Sequence, residues 1–400
     1  MICNGGNRCY ENCSRFLQQE MHIGTLKKIK FMNKYIHSWY RKIFSYLPKF
    51  GSPYQGVVFI DCMSNSGVYV FNNELHDGTS TKALKAFNWK HTEEKIVGKD
   101  FKIIVNDKDL QRITCQQCIW NNTPKINQKL TYDFFQKDVR EFLKEDANKI
   151  LLEAKKRKFH TLLFYDPYDL LIDWEALKPF LESKSVDIIL THFWMNDTKR
   201  AINQVVKEEA KNKYINAYGL SYEDLRERYN KMSSFEQNEF LRKQLIDQIM
   251  KHGANEKKFG YAPIFNDRNN VVYDIVIVSI SNAATKLFRS EMYNLYKNVA
   301  NSDGGTEQLS LFGTEDTSYS ESRKLFNEMQ LFYSYNYFAE VAASDFSGKE
   351  VSQENFNDYL NNHEFIAPNC KKELKKRLQE HHDMKIKKKT KNNPTMYKFK

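Results

Sequence analysis

The sequence contains no run of the ~18–20 uncharged apolar residues that a helix needs to cross a bilayer. Its most apolar stretches, Gly56–Ile60 and Val271–Ile280, are only strand-length. No basic segment followed by an apolar core opens the chain, so no secretory leader is expected and a cytoplasmic location is. Cysteine occurs seven times in 400 residues, and an odd count in a chain of this size argues against a disulfide framework. Cys115 and Cys118 have the spacing of half a zinc site, but no second half with a matching spacing exists. Both also fall on the apolar face of an expected helix, so no metal centre is expected. Cys3, Cys9 and Cys13 fit neither zinc nor iron–sulfur spacing, and residues 1–20 read as a flexible head. There is no internal repeat.

Hydrophobic residues make up 41% of the chain, aromatics 14%, and the mean hydropathy is −0.67. This is too polar for a multi-span membrane protein and too aromatic for a disordered one. The length suggests two or three domains. Lys and Arg number 61 against 50 acids, a net charge of +11. Most of that excess lies between residues 371 and 400, where twelve Lys or Arg face three acids. Concentrated positive charge suits a polyanion, because each neutralised phosphate releases condensed counterions. Here the charge accompanies a pattern. Two short helices, Gln353–Asn362 and Asn369–Glu380, precede a basic hairpin of Met384–Lys389 and Thr395–Lys400 about the turn Asn392-Asn393-Pro394. Helix, helix, basic hairpin is the order of a winged helix. Lys371, Lys372, Lys375, Lys376, Lys387, Lys388, Lys389 and Lys391 are the candidate contacts to DNA or RNA. The competing reading of such a run is a solvated tail.

Upstream, helices and strands alternate. Helical periodicity over Met21–Tyr46 is followed by strands at Gly56–Asp61, Phe101–Asn106, Lys129–Phe135, His160–Asp166 and Val186–His192. Helices are expected at Ser80–Trp89, Leu110–Trp120, Val139–Lys155, Trp174–Glu182 and Thr198–Ala210. Such alternation predicts a parallel sheet covered on both faces. Phe259–Phe265 and Val271–Ser281 flank turn residues and predict an antiparallel edge hairpin. The expected fold is therefore α/β: a Rossmann-like sheet of the class I S-adenosylmethionine (SAM) methyltransferase plan over residues 21–299, with a helical insertion at 221–252. A Ser-, Gly- and acid-rich linker at 300–322 and a winged-helix-like domain at 323–400 complete the chain.

In open α/β sheets, ligands bind beyond the carboxyl ends of the strands. Four of those ends carry acids. The first is Asp61-Cys62-Met63-Ser64-Asn65-Ser66-Gly67, where Asp61, Ser64, Asn65 and Gly67 are candidates to hold a nucleoside cofactor against a small-residue turn. Asp107 follows the second strand, where a carboxylate can accept both ribose hydroxyls. Asp138 follows the third, placed to accept from an adenine amino group. The fourth strand ends in Asp166-Pro167-Tyr168. Proline stops the strand there, leaving a carboxylate, a carbonyl and an aromatic ring for a substrate amine, an arrangement suited to N-methylation. An acid at one strand end is more often a cap or turn residue; four at one edge make a pattern.

These residues resemble the three-Cys-motif partner (TcmP) proteins, a bacterial methyltransferase-like family. The resemblance runs from about Met21 to Asn298. Its landmarks are Lys27, Lys28, Tyr35 and Trp39 in the first helix, the Asp61–Gly67 loop, Asp77-Gly78-Thr79-Ser80 with Ala83-Leu84, Asp166-Pro167-Tyr168 with Trp174, Asp187–Leu190 with Arg200, and Val272–Val276. Two positions depart from it: Asn65 stands in place of the first loop glycine, and Asp169 in place of the glycine after Asp-Pro-Tyr. The resemblance implies a methyltransferase-like fold, SAM as cofactor and a partner bearing three cysteines. An alternative is a non-catalytic nucleic-acid- or partner-binding module on the same fold, in a mobile-element or anti-phage setting. In the linker, Gln308, Leu309, Leu311 and Phe312 resemble the peptide by which bacterial DNA-processing proteins dock on the sliding clamp; packing onto a flanking domain is the competing reading.

Overall fold

The computed structural model describes residues 21–45, 52–90, 96–167, 170, 172–193, 202, 208–265, 271–296, 332–387 and 394–399. A seven-stranded sheet forms its centre. In chain order the strands are β1 (Gly56–Asp61), β4 (Asp100–Asn106), β5 (Leu130–Phe135), β6 (Phe159–Tyr165), β7 (Val186–Phe193), β8 (Lys258–Phe265) and β9 (Val271–Ser279). Their spatial order is β5-β4-β1-β6-β7-β9-β8. The first five run parallel, and β9 enters antiparallel between β7 and β8. A mostly parallel sheet whose order reverses at β1, closed by an antiparallel hairpin, agrees with a Rossmann-like methyltransferase fold. Every residue of β1 and β6 is buried, as expected of central strands with both faces covered.

Helix α1 (Ile23–Ser45) lies across one face and packs against α2 (Thr79–Phe87) and α10 (Asn282–Leu295). Its stripe of Ile29, Met32, Ile36 and Tyr40, each at most 3% exposed, faces the core at helical spacing. At ~1.5–3 kcal/mol for each large apolar side chain buried, that stripe supplies most of what holds the helix to the sheet. Between β1 and α2 sits a hairpin of β2 (Val68–Phe71) and β3 (Glu74–Asp77). Asn72 and Asn73 turn it with φ of 51° and 61°, the left-handed geometry that two-residue hairpin turns require.

The remaining helices of the sheet unit are α3 (Leu110–Asn121), α4 (Val139–Phe142), α5 (Asn148–Lys156), α6 (Trp174–Leu181), α7 (Glu208–Tyr218), α8 (Tyr222–Asn230) and α9 (Ser234–Ile249). The expected helix over 139–155 is broken by a π-turn at Leu143–Ala147, and a kinked turn, Met250–Ala254, follows α9. The predicted helix over 198–210 falls almost entirely outside the described residues, as do the turn 266–270 and the linker. The insertion is tied to the sheet by a buried ion pair, Arg242 on Asp274 at 2.5 and 3.0 Å.

The C-terminal residues form α11 (Tyr335–Asp345), β10 (Glu350–Ser352), α12 (Gln353–Asn362), α13 (Lys371–His381), β11 (Lys385–Lys387) and β12 (Met396–Lys398), the strands making an antiparallel sheet in the order β10-β12-β11. This unit shares one buried apolar cluster with the large sheet. Arg289 of α10 reinforces the join: its guanidinium donates to the carbonyls of Leu360, Asn361 and Ile366 at 2.8–2.9 Å. No helix among the described residues is long and apolar enough to cross a membrane.

Candidate functional site

The loop after β1 is stitched to its neighbours. Cys62 N–H donates to the Phe164 carbonyl and Ser64 N–H to that of Asn106. Asn65 takes up left-handed backbone (φ 56°), its N–H donating to Asp107 Oδ2 at 2.9 Å. Its own amide oxygen accepts from Ser66 N–H at 2.7 Å, which is how a side chain substitutes for glycine in this region. Ser64 Oγ bonds to Gln116 Oε1 at 2.9 Å, and Gln116 Nε2 donates to Ser80 Oγ at 2.5 Å. Gly67 has φ 74°, and a Cβ there would stand 2.7 Å from Thr81 Oγ1 and 3.1 Å from Gln116. Glycine is thus demanded at 67 by side chains of α2 and α3. Ser64, Asn65 and Gly67 are buried, and side chains of α2 and α3 occupy the space into which a Cβ at position 67 would project.

The opening lies next to them. A cavity of ≈ 200 Å³ sits at the carboxyl ends of β1, β4, β5 and β6, walled by Met63, Asp107, Asp138, Tyr165 and Pro167, with Lys108, Arg112, Lys137 and Arg140 contributing cationic side chains. Asp107 is fixed: Oδ1 accepts from Asp109 N–H and Oδ2 from Asn65 N–H, both at 2.9 Å, while Arg112 approaches to 3.9 Å. Each oxygen keeps a second acceptor direction. Asp138 caps α4, accepting from Arg140 N–H at 3.0 Å. Lys137 is held by Glu145 and Asp146 at 2.8 Å each. A nucleoside fits this donor set, with hydroxyls on Asp107, a base edge on Asp138, and apolar contact from Met63, Tyr165 and Pro167. The volume is below the ~300 Å³ at which drug-sized pockets begin.

Asp61 and Asp166 lie side by side at this edge. Asp61 is 2% exposed. Burial first, then the neighbouring Asp166, pushes its carboxyl up to about 8, against the weaker pull of Met63 N–H and Lys28. Asp166 receives the ammonium of Lys28, which α1 delivers 138 residues away in sequence. The same ammonium lies 5.2 Å from the centre of the Tyr273 ring. The other oxygen of Asp166, Oδ1, is buried and has no hydrogen-bond partner among the described residues. Buried carboxylate oxygens are nearly always paired, so this orphan, on the residue between the cavity-lining Tyr165 and Pro167, is a polar group that the described residues leave unsatisfied. Pro167 lines the cavity; Tyr168 lies outside the described residues.

Among the basic candidates, Lys375 is drawn inward, bonded to the Tyr397 hydroxyl with its ammonium 4.4 Å from that ring's centre, and burial pulls its pKa down. Lys372 and Lys376 are exposed and Lys371 is half-buried. Lys387 pairs with Glu350 at 2.9 Å. Lys388, Lys389, Lys391, Gln308, Leu309, Leu311 and Phe312 lie outside the described residues. Among the described residues, no group of three or more His, Cys, Asp or Glu side chains is arranged to hold a metal.

No protein-family model matches the chain, and no curated protein does. Solved structures similar to it include SAM-dependent methyltransferases. A Legionella pneumophila protein of the DUF519 family matches with a TM-score of 0.37 at 8% identity, over 69% of this chain and 92% of its own. A SAM-dependent methyltransferase from Methanosarcina mazei matches with 0.24 at 11%, over 57% and 94%. PKMT2 of Rickettsia typhi, in complex with AdoHcy, matches with 0.29 at 8%, over 67% and 57%. At these scores the fold rests on strand order and not on the likeness.

Proposed function

We propose that the chain is a SAM-dependent methyltransferase of the three-Cys-motif partner type that acts on nucleic acid, with a base amine as the acceptor. The observation that carries this reading is the orphaned Asp166 oxygen, on the residue between the cavity-lining Tyr165 and Pro167 at the strand ends. Asp107 and Asp138 would hold the nucleoside end of the cofactor. SAM, when bound, supplies an electrophilic methyl group. Asp166 Oδ1 would accept a proton of the acceptor amine and orient its lone pair, while Lys28 keeps the carboxylate from turning away. The order helix, strand, helix, helix, strand, strand at 335–398 supports a winged-helix reading of the C-terminal unit. On that reading α13 offers Lys371, Lys372 and Lys376 to phosphates of DNA or RNA. A three-Cys-motif protein and, through Gln308–Phe312, the sliding clamp are its proposed partners.

Calorimetric titration with SAM and S-adenosylhomocysteine tests the reading. Binding that vanishes in Asp107→Ala and survives in Lys372→Glu is the expected result; no heat from either ligand overturns it. A second reading, a non-catalytic nucleic-acid-binding module, is favoured by the α2 and α3 side chains that occupy the space beside Gly67. It expects no cofactor heat but salt-sensitive binding to nucleic acid.

A further inference from the structure

Beside the strand-end cavity lies a second cleft of ≈ 340 Å³, and Arg140 lines both. Its floor is an aromatic pair, with Trp174 and His252 stacked at 5.2 Å and 5° between planes. The pair is built with care. Trp174 Nε1 donates to the Asn216 carbonyl at 2.9 Å, and Asn216 Nδ2 donates to the Ile172 carbonyl at 2.5 Å. His252 is presented by the kinked turn Met250–Ala254, where His252 and Gly253 leave helical geometry; Gly253 has φ 124°, and a Cβ on it would come within 2.8 Å of the Glu182 side chain. This turn packs on the helix that carries Trp174. Trp174 is 4% exposed and covers one face of the half-buried imidazole, so a planar ligand in the cleft stacks on the other. Burial and the nearby Lys251 and Lys178 hold His252 below its ordinary range, against the opposing pull of Glu175. The ring is therefore neutral at pH 7, and two ammonium groups stand close to it.

The lining carries the Arg140 guanidinium together with two carboxylates, Glu175 and Asp173, the latter paired with Lys144 at 2.9 Å; a flat ring backed by tryptophan and a guanidinium shared with the neighbouring cavity supply the parts of a stacking platform. We infer that this second cleft is a nucleotide subsite, in which a nucleobase stacks on His252 while the adjoining phosphate lies on Arg140, so that the ligand spanning both openings is a single-stranded nucleic acid. A duplex keeps its base faces stacked internally and has none to offer. Glu175 and the Asn216 amide supply polar edges for the base. The inference rests on the proposal that the chain handles nucleic acid, and it names the form and the seat of that ligand.

The test is fluorescence anisotropy with the full chain and labelled oligonucleotides of about 12 nucleotides, as single-stranded DNA, single-stranded RNA and duplex, with S-adenosylhomocysteine calorimetry on each variant. Single strands bind more tightly than duplex, and the DNA and RNA arms show which sugar is preferred. His252→Ala weakens single-strand binding by about tenfold or more, the worth of one stacked base, without changing the salt slope. Arg140→Gln weakens it and lowers the slope by about one. His252→Phe restores the affinity, which a folding defect would not permit. Unchanged binding in His252→Ala and Arg140→Gln, a preference for duplex, or no nucleic-acid binding overturns the subsite. Cofactor heat without a His252 effect sinks the subsite alone. A His252 effect without cofactor heat sinks the methyltransferase reading alone.

Discussion

Helix α1 reaches two carboxylates at opposite edges of one sheet, one buried and one half-buried, and the protein treats them differently. At the amino-terminal edge Asp187 accepts from Trp39 Nε1 at 2.8 Å and Ser279 Oγ at 2.5 Å, and pairs with His160 Nε2 at 2.9 Å. Burial opposes its charge, but His160, Ser279 and Trp39 outweigh burial and hold the carboxyl below its ordinary range. At the carboxyl edge Asp166 has, among the described residues, one partner, Lys28, and a buried oxygen with none. Its neighbour Asp61 is raised instead of lowered. A carboxylate with both oxygens engaged contributes to the fold; one with an oxygen left over has capacity for something that is not part of the chain.

Substitutions can break that contrast, and the largest effect belongs to Asp187→Ala. It strands the Trp39 and Ser279 donors and His160 in the core, and is expected to cost ~3–5 kcal/mol in urea unfolding. Asp166→Asn, whose amide oxygen still accepts from Lys28, should cost only ~1–2 kcal/mol. Equal losses would make both residues anchors and erase the difference. Next comes Lys28→Met. Removing the ammonium leaves Asp166 with no cation, and the expected loss is ~2 kcal/mol, softened from the fully buried case because Asp166 is partly exposed. A neutral result would mean that water already solvates Asp166.

The last effect is read from its sign rather than its size. Asp61 rises from 3.8 to about 8 on folding, so the folded chain keeps a proton that the unfolded chain releases. Its contribution is intact below about pH 4 and is lost as pH climbs towards 8. Asp61→Asn lacks that decline. Its melting temperature should exceed the wild type's by a few degrees at pH 8, and the gain should fade on acidification to pH 4. Parallel pH profiles for the two proteins would show that Asp61 is already ionised in the fold.

The frame of this edge was readable beforehand because it follows from local pattern. Apolar runs ending in acid or Pro located β1, β4 and β6 to within a residue, and Asp109 and Asp138 cap helices as such residues do. The hairpin β2–β3 was missed although Asn72-Asn73 between alternating residues signals it. What sequence could not supply was anything made by distant pairing. Nothing local tells Lys28 to meet Asp166, or Gln116 and Thr81 to fill the space beside Gly67. His252 escaped notice too, since its value lies in Trp174, 78 positions earlier.

The three carbonyls gripped by Arg289 set a mechanical limit on the whole molecule. Its guanidinium has no carboxylate to neutralise it there, and burial drags its pKa down to about 10. What it gains is reach: one rigid fork ties the end of α12 and the segment leading to α13 onto a helix of the large sheet. A polymer grasped by α13 would therefore be presented to the strand ends at a set offset, as by a jig, and the spacing between grip and tool would be a constant of the protein.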